Sequence, residues 1–183
     1  MHSTHVVRGI PVLVDNSRPD IETAQVLDRL TQALDLVARY APARFRRLRH
    51  DFAMILVQRF PCRAAYVPDR RAGLIELTFL AHPDITPAQV AASIVHEAVH
   101  ARIHGMRIER ARGREAKEER LCRKAELELG LAIPGADAVI ARARDAIALA
   151  DHDVAPEIDW RIAGARVREI DERSGTNFEA DQQ

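Results

Sequence analysis

Apolar and polar residues follow a helical period over most of the chain. Between Asp20 and Tyr40, apolar side chains recur every three or four residues, which predicts an amphipathic helix with Asp20 as its N-cap. A second helix is predicted from Pro42 to about His50, because proline favours the first helical position. Four further helices are predicted: Thr86 to about His104, about Gly113 to Leu129, Gly135 to Ala150, and Pro156 to about Arg173.

A smaller part of the chain has the patterns of strands. The segment Val6 to Val14 is largely β-branched and apolar, which predicts a short or edge strand interrupted at Pro11. From Leu74 to Phe79, apolar and polar residues alternate, as is typical of a strand with one buried face. The apolar run Phe52 to Val57 fits a helix or a strand equally. Together these elements predict a mostly helical α+β fold with a small sheet.

Composition is typical of an ordinary globular protein. The chain has 183 residues, 47% of them apolar, so we expect a single domain over residues 1–183, with residues 135–183 as a C-terminal helical extension. Basic and acidic residues balance at 27 each, which does not favour a nucleic-acid partner. The longest stretch without an ionisable side chain, Ile85 to Val95, is too short to span a membrane.

The N-terminal segment lacks the pattern of a secretory signal, so we predict a cytoplasmic protein. Cys62 and Cys122 are the only two cysteines and form no CxxC pair. A disulfide framework and a zinc knuckle are therefore not expected. The oligomeric state is left open by the sequence.

The candidate chemistry lies in the run His96, Glu97, Ala98, Val99, His100, which fits the pattern HExxH. Two histidines four residues apart lie above one another on a helix face, and both can reach one Zn²⁺ ion. Glu97 lies beside them, where it can take a proton from a water bound to the metal.

The helix around this motif has well-defined start signals. Thr86 and Gln89 form a capping box pattern, and Pro87 takes the first helical position. Polar residues occupy one narrow arc of the helix and the rest is almost entirely apolar, so we expect a buried helix whose polar stripe faces a cleft. The alternative is a pair of hydrogen-bonded core histidines, with Glu97 paired to an arginine.

A catalytic zinc site needs a third protein ligand from outside this motif. His104 lies about 12 Å from His96 along an unbroken helix, too far to share one metal with it. The next predicted helix offers four glutamates that are chemically able: Glu115, Glu118, Glu119 and Glu126.

These residues resemble the gluzincin class of zinc metallopeptidases, in which HExxH is followed by a glutamate ligand three residues before a small residue. Glu119 with Cys122 fits that pattern best, although Cys122 replaces the small residue and Arg123 stands where an Asp often follows. Glu118 and Glu126 remain alternative ligands. The run His96 to Gly105 also resembles small intracellular members that cleave or regulate repressor proteins. The resemblance covers about residues 74–134.

The resemblance implies a minimal zincin-like domain with Zn²⁺ held by His96, His100 and Glu119, and Glu97 as general base and then acid. It implies a peptide or protein substrate that pairs with the predicted strand Leu74 to Phe79. Three residues are candidates for stabilising the oxyanion: Tyr66, His104 and His152. The main alternative function is a non-catalytic zinc-binding regulatory or protein-interaction domain.

Overall fold

The computed structural model describes residues 2–106, 114–155 and 159–173, and has an α+β fold. Five strands form one mixed sheet in the order β1-β2-β3-β5-β4. The strands are β1 (His2–Val7), β2 (Ile10–Asp15), β3 (Met54–Gln58), β4 (Ala64–Val67) and β5 (Ala72–Glu76). The helices are α1 (Thr23–Tyr40), α2 (Pro42–Asp51), α3 (Leu77–Ala81), α4 (Pro87–Gly105), α5 (Glu115–Ala132), α6 (Asp137–Ala148), α7 (Asp151–Val154) and α8 (Trp160–Arg173).

The first strand prediction was wrong, because residues 2–15 form a hairpin of two strands. Arg8 and Gly9 have φ of 50° and 78° and make the two-residue turn that suits the twist of paired strands. Pro11 lies opposite Val6 within β2 and does not interrupt the strand. The parallel pairing of β2 with β3 begins one residue later, at Val12, where backbone donors are available.

The predicted helices α1 and α2 are confirmed, but the predicted cap of α1 was wrong. Helix α1 begins at Thr23, after Glu22, and Asp20 instead forms an ion pair with Arg18. The undecided run after α2 becomes strand β3, which is parallel to both of its neighbours β2 and β5.

The predicted strand Leu74 to Phe79 was wrong in its second half. Strand β5 ends at Glu76, whose carboxylate accepts a hydrogen bond from Phe79 N at 2.6 Å and caps the short helix α3. Every residue of β5 is buried, so the strand has no solvent-facing side. The alternating pattern therefore led to a wrong interpretation of Glu76, which caps a helix and does not lie on the exposed face of a strand.

Helix α4 lies at the centre of the fold and contacts α1, α2, α5, β4 and β5. The predicted capping box is confirmed: Thr86 Oγ1 accepts from Gln89 N at 3.3 Å, and Gln89 Oε1 accepts from Thr86 N at 2.8 Å. Every residue from Val90 to Glu97 is buried, which confirms the predicted burial for this part of the helix. Ala98, Val99 and Ile103, nearer its end, are half-buried.

The later helix predictions correspond to α5, α6 and α8, and the additional short helix α7 occupies part of a predicted break. The start of α8 was predicted at Pro156, which lies outside the described residues. Helix α6 packs on α5 and α4, and its residue Val139 joins the main hydrophobic cluster. None of the helices in the described part of the chain combines the length and apolar character that a membrane span requires.

The close contact between Gly73 and the ring of Phe52 leads to a prediction about stability. A Cβ added at Gly73 would lie 2.4 Å from the ring of Phe52, which stacks on Tyr66 with ring centroids 6.2 Å apart. We expect Gly73→Ala to lower the free energy of unfolding by about 1–3 kcal/mol, because the ring must shift within a packed core. Urea unfolding measures this change.

The matched control is Gly105→Ala, because a Cβ added there meets no atom within 4 Å. Alanine is favoured over glycine in a helix, so this variant should be neutral or slightly more stable. Equal destabilisation of the two variants would contradict the packing argument.

Candidate metal centre

A cleft of about 890 Å³ opens between β4 and the helices α4, α5 and α6. The HExxH residues of α4 form its floor, and His96 and Glu97 are only 7% and 6% exposed. The side chains of α5 that face them include three of the four candidate glutamates, as well as Cys122. The predicted polar stripe of α4 therefore does face a cleft.

The two imidazoles meet through their Nε2 atoms, which lie 3.1 Å apart. The carboxylate of Glu119 spans this pair, with Oε1 3.1 Å from Nε2 of His100 and Oε2 3.3 Å from Nε2 of His96. Three donor groups thus converge on one point from two helices.

The other two glutamates contact the opposite ring nitrogens. Glu126 Oε1 lies 2.7 Å from Nδ1 of His96, and Glu118 Oε1 lies 2.7 Å from Nδ1 of His100. An ionised carboxylate can only accept a hydrogen bond, so each Nδ1 carries a proton and donates it. This leaves both Nε2 atoms directed toward Glu119. Carboxylates that hold the outer nitrogen of a ligand histidine are a general feature of zinc sites.

The donor set fits a tetrahedral zinc ion. Nitrogen and oxygen ligands lie about 2.0–2.2 Å from zinc, so two such ligands of a tetrahedral site lie about 3.3 Å apart. The Nε2 atoms of His96 and His100 lie 3.1 Å apart, which is close to this spacing. Each of them faces a different oxygen of Glu119, at 3.1 Å for His100 and 3.3 Å for His96. Cys122 is a further donor, because one ligand atom from each of His96, His100 and Cys122 lies within 4.8 Å of the others.

The imidazoles and carboxylates of this cluster shift the pKa values of one another. Burial opposes the charged forms of His96 and His100, yet hydrogen bonds outweigh it and raise the pKa of both. The partners are Glu119 and Glu126 for His96, and Cys122, Glu118 and Glu119 for His100. Burial opposes ionisation of Glu119, but both imidazoles lower its pKa well below the usual range. Histidine binds a metal through an unprotonated ring nitrogen, so a metal ion at the two Nε2 atoms would take the place of any proton there.

Glu97 differs from the other carboxylates. Among the described residues no arginine pairs with it, so the ion pair required by the purely structural alternative is not formed. Burial raises the pKa of Glu97 above its ordinary value. A buried carboxylate with a raised pKa, open to the cleft beside a cation site, is suited to accept and return a proton.

The three candidate oxyanion donors lie in different places. Tyr66, in β4, lines the cleft. His104 is exposed at the end of α4, where its ring lies 5.8 Å from that of Tyr66, and His152 is exposed in α7 beside Asp153. Neither histidine is among the side chains that line the cleft.

Sequence reasoning missed the orienting role of Glu118 and Glu126 and the nearness of Cys122. One signal was present: Glu119, Cys122 and Glu126 lie at i, i+3 and i+7 on one face of α5. The pattern alone cannot say which ring nitrogen each side chain meets.

No protein family, curated protein or solved structure matches this chain.

Proposed function

We propose that the protein is a zinc-dependent metallopeptidase. The observation that carries the proposal is the convergence of His96 Nε2, His100 Nε2 and the Glu119 carboxylate within 3.3 Å of one another, with Glu97 beside them. Three protein ligands leave one position open, as catalytic zinc sites do and structural ones do not. The open side faces the cleft, so the site is accessible to a substrate.

Each step of peptide hydrolysis is assigned to particular residues of the cleft. Zinc, when bound by His96, His100 and Glu119, polarises the peptide carbonyl and makes water more acidic. Glu97 accepts the proton of the attacking water and passes it to the leaving amine. Glu118 and Glu126 keep the Nδ1 protons in place. Of the three candidate oxyanion donors, Tyr66 is the one that lines the cleft, so its hydroxyl is assigned to the developing oxyanion.

The substrate strand has to be reassigned. Strand β5 lies between β3 and β4, so its backbone groups are already paired and cannot bind a peptide along the predicted segment Leu74 to Phe79. Strand β4 is the last strand of the sheet, and Ala64, Ala65 and Tyr66 line the cleft. An extended peptide that pairs with β4 would lie across the metal centre.

The first test combines metal analysis with digestion of a peptide library. Protein purified without chelator should hold one zinc per chain and cleave peptides, and both properties should be lost after chelation and regained with Zn²⁺. Protein that binds no stoichiometric metal would contradict the proposal. Bound zinc without any cleavage would favour the regulatory alternative.

Cys122 is the observation that favours that alternative. A set of His96, His100, Glu119 and Cys122 would close the site with four protein ligands, as in structural zinc sites. The Glu119 carboxylate lies against both Nε2 atoms, which favours the open site with His96, His100 and Glu119 as its protein ligands. We therefore expect the Co²⁺-substituted protein to show d–d absorption without a sulfur-to-metal charge-transfer band.

The control for this spectrum is Cys122→Ser, which should give the same absorption as the wild-type protein. An intense near-ultraviolet band that disappears in Cys122→Ser would mean that the thiolate is a ligand, and would contradict the open site.

A further inference from the structure

One wall of the cleft carries more positive charge than its carboxylates neutralise. Arg63 immediately precedes β4, Arg123 belongs to α5 and Arg142 to α6, and all three line the cleft. Arg123 Nη1 lies 2.7 Å from Glu126 Oε1, and Arg142 Nη2 lies 2.9 Å from Glu126 Oε2. Glu126 also accepts the His96 Nδ1 proton, so one carboxylate serves two guanidinium groups and an imidazole.

Arg63 is the unneutralised member of this group. Among the described residues no carboxylate forms an ion pair with it, and its guanidinium lies 5.7 Å from the centre of the Phe79 ring. Partial burial and the positive charges of Arg142 and Arg123 lower the pKa of Arg63, and the negative charge of Glu126 only partly opposes them. The guanidinium is thus held close to two like charges by the fold rather than by an acidic partner.

Arg123 and Arg142 each have a side-chain nitrogen whose hydrogen-bonding capacity is not used within the described residues. The Nε atoms of Arg123 and Arg142 are buried and have no hydrogen-bond partner among the described residues. Unsatisfied buried donors raise the free energy of the site, and an anion close to them lowers it. This wall is therefore arranged to favour a negatively charged group that enters the cleft.

The position of this wall relates it to the metal centre. Arg63 adjoins the edge strand that we propose to bind the peptide, and Glu126 links the arginines directly to the ligand residue His96. A peptide side chain or terminus one or a few residues from the scissile bond would reach the guanidinium groups. Arginine binds carboxylates through two parallel hydrogen bonds, which selects this group by shape as well as charge.

We propose that Arg63, supported by Arg123 and Arg142, forms a subsite that binds a carboxylate of the peptide substrate. This inference rests on the proposed function, because it names the substrate class of the same cleft. The carboxylate belongs either to an Asp or Glu side chain or to a free C-terminus, and the experiment distinguishes these two sources.

The experiment uses the zinc-loaded Glu97→Gln protein and fluorescent octapeptide pools, with binding measured by fluorescence anisotropy. An acidic pool contains Asp and Glu, and a neutral pool has Asn and Gln at the same positions. Each pool is made with a free and with an amidated C-terminus. We expect at least one carboxylate-bearing pool to bind about tenfold more tightly than the neutral amidated pool, a preference that salt weakens. The side-chain and terminal sources are separated by which pool shows the gain.

The second arm introduces Arg63→Gln, which removes one exposed charge from the cleft, and Arg144→Gln as the matched control. Arg144 is exposed on α6 two residues from Arg142 and does not line the cleft. The preference should be lost in Arg63→Gln and kept in Arg144→Gln. Equal binding of all pools, or a preference that survives Arg63→Gln, would overturn the subsite.

Failure of the subsite can be told apart from failure of the proposed function. If the wild-type protein cleaves all four pools equally, acidic and neutral, free and amidated, the peptidase proposal stands and the subsite is wrong. If the carboxylate preference depends on Arg63 but no peptide is cleaved, the subsite stands and the peptidase proposal is wrong.

Discussion

The Glu97→Gln protein is expected to keep its zinc and to cleave peptides about 10²- to 10⁴-fold more slowly than the wild-type protein. Glutamine has the size of glutamate but cannot accept the proton of the attacking water, and general base catalysis typically contributes a factor of this size. Zinc affinity should change little, because the three converging donors come from His96, His100 and Glu119. Glu97 is also buried without an ion pair among the described residues, so neutralising it should not destabilise the fold.

The measurement is the rate of cleavage of the peptide library by the two proteins at equal zinc content, followed by mass spectrometry. A chelator competition gives the zinc affinity of each protein. Equal cleavage rates would contradict the proposed mechanism, since the proton transfer would then not depend on Glu97.

Glu119→Gln is expected to lower zinc affinity by more than about 100-fold, whereas Glu118→Gln should lower it by about 10- to 100-fold. Glu119 faces both Nε2 atoms and supplies a ligand oxygen, so its loss removes a bond to the metal. Glu118 contacts Nδ1 of His100 on the other side of the ring from Nε2, and loss of such an orienting carboxylate typically has the smaller effect.

These two residues are neighbours on one helix and both substitutions remove one negative charge, so each variant is the matched control for the other. Competition with a chelator of known affinity gives both values, and circular dichroism establishes that α5 is intact. A larger loss in Glu118→Gln than in Glu119→Gln would contradict the ligand assignment and favour Glu118 as the third ligand.

Much of the helical part of the fold could be predicted because its signals are local. The start of α4 depends on Thr86, Pro87 and Gln89, which interact within one turn. The strands were predicted less well. Period-two alternation around Glu76 indicated an exposed strand face, yet the side chain of Glu76 caps helix α3. It is also buried in an ion pair with Arg59, which is distant in the chain and could not be inferred from the local pattern.

The candidate site shows the same division. The two histidines and Glu97 were recognised because an i, i+4 spacing on one helix determines their mutual geometry. The sequence could not decide among Glu118, Glu119 and Glu126. All three lie on the same predicted helix, and its periodicity does not show which of them meets the two histidines. The choice depends on the packing of α5 against α4, which brings Glu119 to the Nε2 atoms and the other two glutamates to the Nδ1 atoms.

By itself, the sequence determined that a buried helix carries HExxH, where that helix begins, and that acidic candidates follow on the next long helix. Only the tertiary structure decided which donors converge, that β4 rather than β5 is an edge strand of the described sheet, and that Arg63, Arg123 and Arg142 share one wall. The physical reason is the distance along the chain over which each kind of interaction acts. Helical periodicity and capping act between residues a few positions apart, whereas the site is assembled from segments whose separation is set by packing of the whole core.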